Sequence, residues 1–157
     1  MSKGVLKRSS HQIAVIADTH DHFPDAVGQK LDEASEIWHL GDVCRTATLR
    51  KIQRLGPPLT VVLGNNDHFQ PWPPEVTLQR NGVNFRLIHI PPSASKMGKT
   101  NVLLHGHTHV PRDEIIEGVR ILNPGAICRA NKGAPPSYAW LAVTPDGKVE
   151  WSIVPIA

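Results

Sequence analysis

The chain has 157 residues, 40% of them hydrophobic and 20% charged, which suffices for one folded unit with its own core and excludes global disorder. No stretch approaches the ~18 uninterrupted apolar residues of a membrane span, and the apolar run 13–17 is too short for a signal peptide; the expectation is a cytoplasmic protein with no membrane partner. The net charge of +3 belongs to Lys3, Lys7 and Arg8, so residues 1–11 read as a flexible basic tail and 12–157 as a single, charge-balanced domain.

Residues 12–17 form a β-branched run suited to a buried parallel strand. A helix follows over 24–34, with Pro24 in its first turn and Ala26, Val27, Leu31 and Ala34 on one face. The second strand is 36–40. The second helix, 46–55, turns Leu49, Ile52 and Leu55 inward and stops at Gly56-Pro57. The third strand is 59–63. This order implies parallel strands of an α/β unit. The second half is strand-rich, at 76–78, 83–89, 102–104, 114–116, 119–122, 138–143 and 149–154, with turns at Gly118 and Asp146-Gly147. Together the halves predict an α/β (α+β) fold of two sheets packed face to face with helices outside. Prolines are spread through turns and mark no linker. Cys44 and Cys128 form neither a CxxC pair nor a disulfide framework.

Charge is segregated within the domain. Seven acids (Asp18, Asp21, Asp25, Asp32, Glu33, Glu36, Asp42) crowd 18–42 against Lys30 alone, and Arg45, Arg50, Lys51 and Arg54 occupy 45–54 without an acid. Two readings stay open: two solvated helix faces, or a cation-attracting stretch beside a phosphate-holding helix. Nucleic acid as a partner has only this helix and the tail in its favour.

In open α/β sheets, ligands bind off the carboxyl ends of the strands. The first strand runs into Asp18-Thr19-His20, the second into Gly41-Asp42, the third into Gly64-Asn65-Asn66-Asp67. Later strands end at His89 and at Gly106-His107-Thr108-His109. Oxygen and imidazole donors suit Mn²⁺, Fe, Ni²⁺ or Zn²⁺ and not a Cys-rich structural zinc. Seven candidates (Asp18, His20, Asp42, Asn65, His89, His107 and His109) are too many for one ion. Two ions ~3.5–4 Å apart, sharing a carboxylate, use them all.

This ordered set, with Asn123-Pro124-Gly125 further on, resembles the calcineurin-like metallophosphoesterases. Within them it looks most like the small single-domain bacterial and archaeal phosphodiesterases, a group that includes the eukaryotic retromer subunit with this fold. The resemblance implies a four-layer αββα sandwich of two mixed β-sheets flanked by helices. It implies two divalent ions, Mn²⁺ foremost. Asp18, His20 and His109 hold one, Asn65, His89 and His107 the other, and Asp42 bridges them. The implied reaction is hydrolysis of a phosphate ester by in-line attack of a hydroxide held between the ions. With no inserted cap domain, a small phosphodiester or nucleotide-type substrate is expected over a monoester. Asn65 also orients phosphate, Asp67 hydrogen-bonds a ligating histidine, and Arg45 binds phosphate. The alternatives are a non-catalytic protein-interaction module on the same fold and a metal-dependent nuclease.

Three departures stand out. Asn66 occupies the place where many members carry a histidine that protonates the leaving group, which leaves His22, His68 or solvent for that task. Ile90 stands where glycine often follows the third-motif histidine. The segment 91–100 is short and rich in Pro, Ser and Gly. Of the remaining candidates, His39 and His105 read as core groups or supports of the ligands, His11 as tail, and Trp38, Trp72, Trp140 and Trp151 as packing. Cys44 reads as a small buried residue near the site, and Ser93, Ser95 and Lys96 as a solvated loop. Nothing in the sequence bears on oligomeric state.

Overall fold

Side chains alternate across β1 (His11–Ile16). Ile13 and Val15 face one side, Ala14 and Ile16 the other, and all four are fully buried. A strand apolar on both faces needs a covering layer on each, and the architecture follows from that. In the computed structural model, which describes residues 10–68, 70–129 and 131–156, β1 is the middle strand of a five-stranded sheet. On one side lie β2 (Glu36–His39) and β3 (Leu59–Val61), all parallel; on the other lie β9 (Ser137–Val143) and β10 (Val149–Pro155), antiparallel. A second five-stranded sheet has the order β4 (Glu75–Arg80), β5 (Val83–Ile88), β6 (Val102–Leu104), β8 (Val119–Asn123), β7 (Arg112–Ile116). Its three inner strands β5, β6 and β8 are parallel and its edges antiparallel.

The inner faces meet in the main core, where Ile13, Val15, Trp38 and Leu40 of the first sheet pack on Phe85, Leu87 and Leu104 of the second. Trp38 and Phe85 meet edge to face at 5.2 Å. Each such side chain contributes about 1.5–3 kcal/mol by leaving water. Arg80 of β4 donates to both carboxylate oxygens of Glu36 at the start of β2, each at 2.7 Å, stitching the sheets at the end away from the strand carboxyl termini.

Helices α1 (Asp25–Leu31) and α2 (Thr46–Gln53) cover the outer face of the first sheet, Val27, Leu31 and Ile52 packing on Ala14, Ile16 and Ile37. Both are shorter than their apolar pattern predicts, because 32–33 and 54–55 close the helices as turns. The outer face of the second sheet, with Leu103, Val119 and Ile121, is covered by Met97 beside a single 3₁₀ turn, Ala94–Lys96. The fourth layer is therefore thin, as the Pro, Ser and Gly content of 91–100 dictates. Two mixed five-stranded sheets between outer layers are the expected sandwich.

Three smaller outcomes differ from expectation. His11 is not tail: it pairs with Val143 in β1, while Lys3, Lys7 and Arg8 lie outside the described residues. Besides the turn at Glu117-Gly118 (φ 49° and 82°), Asn81-Gly82 (φ 48° and 81°) closes the β4–β5 hairpin, an Asn-Gly signal that pattern reading passed over. The charge segregation is partly neutralised on folding, since Asp21 pairs with Arg45 at 3.4 Å and Asp25 with Lys51 at 2.8 Å. No helix among the described residues is long and apolar enough to cross a membrane.

Candidate metal centre

The carboxyl ends of β1, β2 and β3 in one sheet and of β5 and β6 in the other open onto one edge of the sandwich. All seven candidate ligands lie just past those ends. Asp42 is central. Its Oδ2 lies 3.4 Å from His20 Nε2 and 3.3 Å from His89 Nε2. On one flank Asp18 Oδ1 is 3.5 Å from His109 Nε2 and 3.8 Å from His20 Nε2. On the other, Asn65 Oδ1 is 2.9 Å from His89 Nε2 and 3.1 Å from His107 Nδ1.

The backbone is unusual here. Asp18, His20, Asp42, His107 and His109 all have left-handed φ, from 43° to 71°. Non-glycine residues adopt that region at a cost of about 1–3 kcal/mol each, and it concentrates at functional sites. β1 ends at Ile16, and the left-handed residues Asp18 and His20 fold the chain back so that both side chains reach Asp42.

Close packing of the loops requires glycine. Gly41 has φ 99°, and a Cβ there would stand 2.7 Å from His89 Nδ1. A Cβ on Gly64 would overlap the Asp42 nitrogen and Oδ1. Gly64→Ala is therefore expected to lose about 1–3 kcal/mol of stability through overpacking and to displace Asp42; urea unfolding and metal titration of the variant check both.

Hydrogen bonds fix each ligand's orientation. His89 Nδ1–H donates to the Leu40 carbonyl at 2.7 Å, which fixes the ring with Nε2 facing the cluster. Gly41 N–H donates to His39 Nδ1 (3.1 Å), and His39 Nε2–H then donates to Thr19 Oγ1 (3.1 Å). Burial, helped by His89, pushes His39 down to about 3, so it is a neutral strut. Burial likewise brings His105 to about 4; it accepts from Arg112 Nη1 at 3.1 Å and donates to the Gly106 carbonyl at 2.8 Å. Asn123 donates to the Gly106 carbonyl and Thr108 Oγ1, bracing the loop that carries His107 and His109.

Asp67 does not bond a ligating histidine, as the sequence suggested. Its Oδ2 accepts from Asp42 N–H (2.9 Å) and Gly64 N–H (2.7 Å), and its Oδ1 from Cys44 N–H (2.7 Å). It staples two ligand-bearing loops together. Asn66 donates its backbone N–H to Asp42 Oδ1 (2.8 Å) and its amide to Oδ2 (2.9 Å). Burial works against ionising Asp42, yet the His89 and Asn66 hydrogen bonds outweigh it and hold the carboxyl well below the usual range.

Donor atoms ~2.0–2.2 Å from an ion sit roughly 3–3.6 Å from one another, close to the separations observed. Asp18 Oδ1 and His20 Nε2 are buried without a hydrogen-bond partner. Burial alone would lower His89, but Asp42 and Asp18 raise it, so the pocket attracts positive charge. The donor set fits divalent cations.

Sequence reading missed Arg129 and Asn131, which with His107 and His109 line a cleft of about 460 Å³. Only their position after Asn123-Pro124-Gly125 hinted at them. Ile90, 49% exposed, leaves His89 in place and lines a depression of about 250 Å³ with Leu63, Pro74 and Ile88. Arg45 is exposed and held by Asp21. His22 and His68 are exposed on the flanking loops.

Two mixed sheets with Asp, Asn and His donors gathered at their strand ends define a metallophosphoesterase. Residues 12–146 match the calcineurin-like phosphoesterase superfamily domain, and the chain belongs to that family. It is 26% identical over 147 residues to Phosphodiesterase MJ0936 of Methanocaldococcus jannaschii, covering 79% of this chain and 89% of that one. Vacuolar protein sorting 29 of Cryptosporidium parvum shares the fold at a TM-score of 0.76 with 21% identity, over 93% of this chain and 97% of the other. Vps29 of Entamoeba histolytica complexed with Zn²⁺ does so at 0.72 with 21% identity, over 91% and 98%. Family membership supports a phosphoesterase hydrolase and implies divalent metal ions.

Proposed function

We propose that the protein is a binuclear metal-dependent phosphodiesterase. The observation that carries this reading is the placement of Asp42 Oδ2 between His20 Nε2 at 3.4 Å and His89 Nε2 at 3.3 Å, with Asp18 Oδ1 nearer His109 (3.5 Å) than His89 (3.9 Å) and Asn65 Oδ1 beside His89 and His107. Asp18, His20 and His109 would hold one ion and Asn65, His89 and His107 the other, with Asp42 within reach of both. Divalent cations there would supply an activated water and neutralise charge on the phosphoryl oxygens. The chain's own groups do the rest. Asn65 orients the phosphate through its amide. Asn66 holds the Asp42 carboxylate and has no acidic proton to give, so the leaving oxygen takes its proton from His22, His68 or solvent. Arg129 offers a guanidinium to the substrate's phosphate from the cleft, a role its position favours over Arg45.

A diester is favoured because the centre is flanked by the Arg129 cleft on one side and the Ile90 depression on the other, leaving room for substituents on both sides of phosphorus. The name of the M. jannaschii relative points the same way. Mn²⁺ is the first metal to try, with Fe, Ni²⁺ and Zn²⁺ next, and the substrate class is a small phosphodiester or nucleotide-type ester. The test is hydrolysis of an aryl phosphodiester beside the matching monoester, by metal-stripped protein before and after Mn²⁺ is added. Restored turnover with the diester faster is expected. A folded sample inert with Mn²⁺, Ni²⁺ and Zn²⁺ contradicts the reading and favours an interaction module on this fold.

A further inference from the structure

Two thiols flank the centre, and they stand differently towards it. Cys44 Sγ is 3.8 Å from His20 Nδ1, the ring nitrogen turned away from Asp42. Cys128 arrives by another route. After β8, Asn123-Pro124-Gly125 reverses the chain: Gly125 has φ 79°, its N–H donates to Asn123 Oδ1 (2.8 Å), and Ser137 Oγ–H donates to the Pro124 carbonyl (2.8 Å). The returning segment runs beside the end of β1, where Ile127 N–H donates to the Ala17 carbonyl (3.1 Å) and Cys128 N–H to that of Asp18 (3.2 Å). Cys128 Sγ, one ring nitrogen of His20 and one of His109 then lie within 4.8 Å of one another. Into the same space Asp18, 0% exposed, directs an Oδ1 that no donor satisfies, 3.5 Å from His109 Nε2 and 3.8 Å from His20 Nε2.

A thiol thus stands within 4.8 Å of a nitrogen of each imidazole, and both imidazoles face a buried carboxylate oxygen without a partner. We propose that Cys128 is a further ligand on the Asp18–His20–His109 half of the centre, binding as thiolate and releasing its proton to solvent as the ion enters. The inference rests on the metal-centre reading above. Its consequence is selectivity. A thiolate favours softer and borderline ions such as Zn²⁺, Co²⁺ and Cd²⁺ over Mn²⁺, whereas the Asn65–His89–His107 half offers only oxygen and nitrogen. The two halves would then prefer different metals. Cys44 does not compete, because a proton on His20 Nδ1 facing its sulfur leaves Nε2 for the ion.

Cobalt separates the two thiols. Metal-free full-length protein is titrated with Co²⁺ and followed by absorbance, while calorimetry on the same samples counts the ions bound. A near-ultraviolet sulfur-to-cobalt charge-transfer band is expected in the wild type and in Cys44→Ala, and its loss in Cys128→Ser. The Zn²⁺-over-Mn²⁺ affinity ratio of Cys128→Ser should fall about tenfold or more. Co²⁺ bound by the wild type without the band, or a band that survives in Cys128→Ser, overturns the role of Cys128 and leaves the centre standing. Absence of Co²⁺ binding overturns both.

Discussion

Asp42→Ala is expected to lower metal-dependent kcat/KM by about 10³-fold or more while the fold is kept. The carboxylate is 2% exposed, and one of its oxygens faces both His20 and His89. Asp18 Oδ1 also faces both rings but from farther off, 3.8 Å from His20 Nε2 and 3.9 Å from His89 Nε2, so Asp42 is the closer bridge. Ions positioned on the phosphoryl group supply several kcal/mol of transition-state stabilisation, and each ~1.4 kcal/mol is a factor of ten in rate. Alanine at 42 keeps the main-chain N–H that Asp67 accepts, so the loops stay stapled. Steady-state kinetics with circular dichroism on the same samples decides the matter. A folded variant as fast as wild type means that hydrolysis, if any, happens elsewhere.

The largest stability effect belongs to Asp67→Ala. Its carboxylate is 4% exposed and accepts from three backbone N–H groups, those of Asp42, Gly64 and Cys44. Each donor left buried and unpaired costs about 1–3 kcal/mol, so the variant should lose roughly 3–6 kcal/mol in urea unfolding. At ~2–4 °C per kcal/mol for a domain of this size, its Tm should drop on the order of 10 °C or more. Asp67→Asn keeps one acceptor oxygen and should lose about half as much. A loss under ~1 kcal/mol in Asp67→Ala would mean that water reaches these amides and the staple is unimportant.

The convergence of the seven candidates was legible in the sequence because each follows a run of apolar residues that had to be a strand, and parallel strands deliver their carboxyl ends to one edge. The strands themselves were legible from short apolar runs between polar or turn-forming residues, which explains why the fully buried β6 was located to the residue. Their ends were less so: whether Ala17 belongs to β1 depends on the left-handed turn at Asp18, and nothing in a one-dimensional pattern signals it. Roles that depend on the backbone were hidden for a related reason. Asp67 looked like a partner for a histidine because carboxylates near ligands often are, yet its acceptors are turned to amides 23 and 25 residues away. Cys128 and Arg129 reach the centre through a chain reversal after β8, so no strand end announced them. Of the acids of 18–42, Asp21 and Asp25 pair with Arg45 and Lys51, Glu36 pairs with Arg80, and Asp18 and Asp42 turn into the centre, a sorting that a charge count along the chain does not reveal.

If Asp42 is shared by two ions, calorimetric titration of Mn²⁺ into metal-free protein, with diester turnover sampled at each step, gives two ions bound per chain and turnover that stays low through the first equivalent and rises with the second. Full activity at one equivalent, or a single site at saturation, rules out the shared carboxylate.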